Sequence, residues 1–116
     1  MHKMAPYSLK LFGGIMLAEI SIYPLDKGIS LSKYVAEALD MIDKSGLQYR
    51  MGPMGTVIEG RLEDVYALII RIHKRMRLKS RRVAAYIKID DRAGRKDALS
   101  YKPASIEKRL GRKLRK

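Results

Sequence analysis

The stretch Gly52-Pro53-Met54-Gly55-Thr56-Val57-Ile58-Glu59-Gly60 lies almost at the midpoint of the chain and joins two halves of similar pattern. Pro53 occupies the second of four turn positions, with Gly52 and Gly55 at the ends, which suits a tight reversal between antiparallel strands. The β-branched run that follows reads as a short strand. It carries a carboxylate, Glu59, near the end of a strand that ought to lie inside a sheet. Around this hairpin each half of the chain reads as strand, helix, strand.

Upstream, Ile15 to Tyr23 alternates, with Met16, Ala18, Ile20 and Ile22 on one face and Leu17, Glu19, Ser21 and Tyr23 on the other. This is the period of a strand, and Glu19 within it needs a partner or water. Pro24 to Gly28 forms a loop and Ser30 is the expected N-cap of a first helix. Leu31, Tyr34, Val35, Ala38, Leu39 and Ile42 make its apolar stripe, and Gly46 stops it. Leu47 to Met51 is the second strand. Downstream of the hairpin, Leu62 to Leu78 reads as a helix with Leu62, Val65, Leu68, Ile69, Ile72 and Met76 inward. Glu63 and Asp64 in its first turn and Arg75, Arg77 and Lys79 near its last complement the helix dipole. Arg82 to Ile89 alternates as the fourth strand, with Val83, Ala85, Ile87 and Ile89 facing the helices and Ala84, Tyr86 and Lys88 facing away. Ala104 to Arg115 reads as a short basic helix, with Ile106, Leu110 and Leu114 on one face.

The order βαββαβ predicts an α+β, ferredoxin-like sandwich: a four-stranded antiparallel sheet with two helices on one face. Right-handed crossovers place the first and third strands at the centre and the second and fourth at the edges. Residues 1–13 read as an N-terminal extension, with Met16 a candidate alternative start. Residues 14–92 read as a ligand-binding domain and 93–116 as a basic C-terminal tail. The second sheet face, with Glu19, Ser21, Tyr23, Tyr86 and Lys88, is too apolar in part to be simply wet. A second subunit against it, or strand pairing through the sheet edges, is expected.

A chain of 116 residues is one domain with a modest core, so self-association would help it. The absence of Cys removes disulfides and thiolate chemistry and is compatible with a reducing cytoplasm, the expected location. No apolar run approaches the ~20 residues of a membrane span, so no membrane partner is expected. Lys and Arg outnumber Asp and Glu by 25 to 12, giving a net charge of +13. Seven basic residues and no acid lie between Arg71 and Arg82, and six basic residues stand against Glu107 from Pro103 to the end. These runs read as solvated helix ends and a solubilising tail, or alternatively as a nucleic-acid surface.

No catalytic set assembles. His2 and His73 are the only histidines, and the helical pattern places His73 near the boundary of the core. Without Cys and with two distant His, a zinc site is not expected. Asp90-Asp91 lacks the further oxygen ligands a hard cation needs. Gly52 to Gly55 lacks the spacing and the following Lys-Ser or Lys-Thr of a P-loop. The third strand carries no aromatic residue for stacking bases, as an RNA-recognition sheet would. What remains is a set of polar groups, Glu19, Ser32, Thr56, Glu59, Lys88, Asp90 and Arg92. Either the carboxylates pair with Lys88 and Arg92, or they face a small ligand against an apolar wall of Tyr23, Tyr34 and Tyr86.

The blocks Ala18-Glu19-Ile20-Ser21-Ile22-Tyr23-Pro24-Leu25, Ser30-Leu31-Ser32-Lys33-Tyr34-Val35, Gly52-Pro53-Met54-Gly55-Thr56 with Glu59-Gly60, His73, Arg82-Val83 and Lys88-Ile89-Asp90-Asp91-Arg92 occur in one order. In this the chain resembles the YkoF-like thiamine-binding protein family, over about Met16 to Arg92. The resemblance implies a ferredoxin-like fold, homodimers and often homotetramers formed through the sheets, and binding of thiamine or a related pyrimidine without catalysis or a cofactor. Carried onto this sequence, it points to Glu19, Ser32, Thr56, Glu59 and the segment Lys88 to Arg92, including Asp90, and Met54 in the turn is a further candidate. Thiamine is a cationic thiazolium bearing an aminopyrimidine, so carboxylates such as Glu19 and Glu59 and a wall of Tyr23 and Tyr34 suit it. The expected function is a non-enzymatic, oligomeric small-molecule binder. The alternative is a nucleic-acid-associated protein that uses the basic helix end and tail.

Overall fold

The computed structural model describes residues 14–94 and 98–115. The expected N-terminal extension, residues 1–13, lies outside the described residues. The elements are β1 (Met16–Pro24), α1 (Ser32–Lys44), β2 (Gln48–Met51), β3 (Thr56–Gly60), α2 (Leu62–Lys79), β4 (Val83–Asp90) and α3 (Ala98–Leu110). The sheet order is β2-β3-β1-β4, with every pair antiparallel. This is the ferredoxin-like arrangement expected from the sequence, with β1 and β3 at the centre.

The period of β1 decides the core. Met16, Ala18, Ile20 and Ile22 are buried against Ile42 of α1 and against Leu68, Ile72 and Met76 of α2, with Ile58 beside them. Burying each large side chain of this kind contributes roughly 1.5–3 kcal/mol. The helix α1 begins at Ser32, with Leu31 as its cap residue and no side-chain capping bond. Leu31 carbonyl accepts the amides of both Tyr34 and Val35, so the first turn closes on that residue and not on Ser30. At the other end Gly46 adopts a φ of 78°, the left-handed stop that glycine takes without strain.

Three further features differ from the sequence reading. On β4 only Val83 and Ile89 pack against the core, while Ala85 is exposed and Ile87 is 43% exposed. Both helices are seated over the central strands, leaving the middle of this edge strand uncovered on the helix side. His73 is exposed on α2 and not at the core boundary. The C-terminal helix begins at Ala98 and contains Pro103. Proline removes a helical donor, which is why the periodicity suggested a start after it.

The helix α3 adds a layer the sequence did not place. Leu17 and Ala98 are buried yet lie outside the main core cluster. On β1, Leu17 points away from α1 and α2, because its neighbours Met16 and Ala18 point toward them. In register, Leu17 stands between Glu59 of β3 and Asp90 of β4. The Leu99 amide donates to Glu59 Oε2 at 2.6 Å, and Lys102 forms an ion pair with Asp90. A row of three residues on the second sheet face thus seats the start of α3.

Candidate functional site

The hairpin between β2 and β3 is closed by the Gly52 amide donating to the Gly55 carbonyl at 2.9 Å. A side chain on residue 52 would put its Cβ 2.8 Å from that same carbonyl oxygen, so the loop needs glycine there. Gly55 is needed for a different contact. A Cβ at that position would lie 3.2 Å from the Ile20 carbonyl and 3.5 Å from Glu19 Cγ. The hairpin tip therefore folds directly onto β1 beside Glu19.

Two recesses flank this tip. On the helix side, a cleft of about 120 Å³ lies between Ile20 and Ile22 of β1, Val35 and Leu39 of α1, and Met54 to Thr56. Its walls are mostly apolar, with Ser21 and Tyr23 contributing to the lining and Thr56 buried within. On the open sheet face, a shallower recess of about 250 Å³ is lined by Glu19, Ser21, Met54, Gly55, Tyr86 and Lys88. Ile20, Ser21, Met54 and Gly55 line both.

The open recess combines charge, hydroxyl and aromatic surface. Glu19 is exposed and stands directly across from Lys88 in the β1–β4 register. It takes part in none of the ion pairs among the described residues. Ser21 stands across from Tyr86, and the Tyr23 and Tyr86 rings stack at 6.3 Å between centroids with planes 17° apart. Burial raises the Tyr23 phenol above its ordinary pKa, and the neighbouring Tyr86 hydroxyl adds to the shift. Tyr23 is therefore a neutral hydrogen-bonding group throughout the physiological range. A carboxylate, a hydroxyl pair and two stacked rings suit a flat ligand carrying positive charge or amino donors.

Of the residues singled out from the sequence, Glu19, Tyr23, Met54, Thr56 and Lys88 gather around the hairpin tip. The other five stand elsewhere. Ser32 opens α1 and is exposed. Tyr34 packs against the core, with Lys33 Nζ 6.0 Å from its ring centroid. Glu59 is 5% exposed and engaged with α3, as is Asp90. Arg92 is exposed just after β4. Ser21 and Gly55 line both recesses and were not among the residues chosen. The strand period already put Ser21 between Glu19 and Tyr23 on one face, so its signal was available. Gly55 was legible only as a turn residue.

Among the described residues no group of three or more His, Cys, Asp or Glu side chains could hold a metal ion. No helix among them is long and apolar enough to cross a membrane.

A family model described as thiamine-binding protein matches residues 18–107. The UPF0045 protein MJ1052 of Methanocaldococcus jannaschii is 35% identical over 91 residues, covering 78% of this chain and 91% of its own. The UPF0045 protein YqgV of Bacillus subtilis is 36% identical over 100 residues, covering 81% of this chain and 96% of its own. The crystal structure of MJ1052 superimposes with a TM-score of 0.74, covering 79% of this chain and 95% of that one. A Thermotoga maritima protein named for thiamine biosynthesis or salvage shares the fold, with a TM-score of 0.66 at 20% identity, covering 84% of this chain and 97% of that one.

Proposed function

This chain belongs to the thiamine-binding protein family, and from that membership we propose a non-enzymatic binder of thiamine or a related pyrimidine, acting in the cytoplasm. The observation that carries the reading is the open recess at the hairpin tip, where Glu19 stands beside Ser21, Tyr86 and Lys88. A carboxylate there attracts the thiazolium charge or accepts from the pyrimidine amino group, and the tyrosine pair supplies a flat wall. The chain's charge of +13 does not oppose this, because distant charges are screened over ~8 Å at physiological salt. In this reading Glu19, Met54 and Lys88 line the site in the open recess, Tyr23 and Thr56 line the cleft behind it, and Glu59 and Asp90 serve to seat α3.

Neither recess reaches the roughly 300–1,000 Å³ of a typical small-molecule pocket. A second subunit on the open sheet face would deepen the recess there. The proposal therefore includes a homodimer or homotetramer whose sheets face one another, with the ligand at or near that interface.

Isothermal titration of the purified protein with thiamine tests this, alongside light scattering for its oligomeric state. Saturable binding is expected, weakened about tenfold or more by Glu19→Gln, as loss of a charge-assisted contact would give, and little affected by Glu59→Gln. Absence of heat together with an unchanged melting temperature at millimolar thiamine would sink the assignment.

A further inference from the structure

A further concavity lies where the β1–α1 loop meets the end of α2. It is an open crevice of about 340 Å³ lined by Asp26, Lys27, Arg77, Lys79 and Arg81, with Leu78 and Ser80. It shares no lining residue with the recesses beside the hairpin. We propose that this crevice binds the phosphate group of a small phosphorylated molecule, held by Lys27, Arg77 and Arg81.

The crevice holds one carboxylate, Asp26. Asp26 is already committed: the Ser80 hydroxyl donates to its Oδ1 at 2.6 Å and the Arg81 amide to its Oδ2 at 3.0 Å. Its negative charge serves to tie together two loops more than fifty residues apart in sequence. The tie is reinforced by the Leu25 amide donating to the Arg82 carbonyl at 2.8 Å and the Arg82 amide donating to Ser80 Oγ at 3.1 Å. The base of the crevice is thus a stitched backbone and not a loose surface.

The cations stand around that base. Lys79 is oriented by its ion pair with Glu37 of α1 at 2.6 Å. Arg77 donates to the Ser80 carbonyl at 3.3 Å, which covers one of the acceptor groups that the end of α2 would otherwise turn toward an anion. One guanidinium bond leaves most of its five donors for a ligand. Lys27 and Arg81 are exposed and take part in no ion pair among the described residues. Counting charges at the crevice, four cations stand against Asp26, and Glu37 offsets Lys79 from outside. Guanidinium groups recognise phosphate oxygens by paired, planar donors. Leu78 is 82% exposed on the rim and offers an apolar surface to whatever the phosphate is attached to. Lys27, Arg77, Lys79 and Arg81 line one crevice, and so compact a cluster suits a small phosphorylated molecule better than a nucleic-acid strand, which asks for a basic groove that tracks its backbone.

The test is a titration of the full chain with pyrophosphate at about 150 mM salt, followed by calorimetry and by backbone amide resonances. A second titration uses a short single-stranded oligothymidylate. Saturable pyrophosphate binding is expected, with shifts confined to residues 25–27 and 77–82. The Arg77→Gln/Arg81→Gln double variant should weaken it about tenfold or more, as loss of two charge-assisted contacts implies. Lys27→Gln, which disturbs no backbone tie, should weaken it in the same direction. An Arg109→Gln/Arg112→Gln variant should leave it unchanged. The proposal falls if that control pair loses affinity equally, if the crevice variants bind as the parent does, or if shifts spread over every basic segment. It also falls if the oligonucleotide binds more tightly than pyrophosphate through the same residues, since the site would then be one for nucleic acid. Thiamine binding is measured separately, so failure of either site leaves the other standing.

Discussion

Asp26 illustrates how a single exposed carboxylate can fix local geometry. Hydrogen bonds from the Ser80 hydroxyl and then from the Arg81 amide hold its pKa below the ordinary carboxylate value. A folded-state pKa lowered in this way contributes stability that is complete above the unfolded value of about 3.9 and lost as the pH falls through the lower folded value. Asp26→Asn should therefore melt below the parent at neutral pH, with the gap closing in acid; thermal melts taken from neutral pH down to strong acid would show it. A gap that stayed constant across that range would mean that the carboxylate's charge is irrelevant. Tyr49 titrates in the opposite sense. Its hydroxyl donates to Asp43 at 2.8 Å, which raises its pKa, so that contact is kept at neutral pH and lost only in strong alkali.

At the scale of elements, the decisive pairing is Glu59 with the start of α3. The carboxylate is 5% exposed and accepts the Leu99 amide, acting as a cap supplied from another part of the chain. Glu59→Ala should cost about 1–3 kcal/mol, the range for a buried bond to a charged group, as read from urea unfolding. Glu19→Gln should leave the same unfolding curve almost unmoved, since Glu19 is exposed. Equal losses from both changes would contradict the division of labour drawn between the two carboxylates. This pairing also marks where sequence reading stops. The strand β1, the hairpin and α2 were legible because their period is written in consecutive residues. Glu19, Ser21 and Tyr23 share a face for the same local reason. The role of Glu59 was not legible, because its partner lies 40 positions away at the start of a helix that Pro103 disguised. The exposure of Ile87 was likewise hidden, since alternation tells which face a residue takes but not how far a helix extends over it.

For the whole molecule, charge sets the terms. A net charge of +13 on 116 residues opposes compaction through self-repulsion. The protein's melting temperature should rise as sodium chloride is raised from about 10 mM to physiological strength, where the screening length shortens from about 30 Å toward ~8 Å. Scanning calorimetry would measure it, and a fall over that range would show that local ion pairs outweigh the repulsion. The hairpin tip acts on this same scale. The inner cleft and the outer recess share Ile20, Ser21, Met54 and Gly55 in their linings, so any movement of these residues reshapes both. Where a molecule entering between the strands and the helices moves those residues, a body resting on the outer sheet meets an altered surface. Linkage then requires reciprocity: to whatever degree the first strengthens or loosens the second, the second alters the first by the same factor.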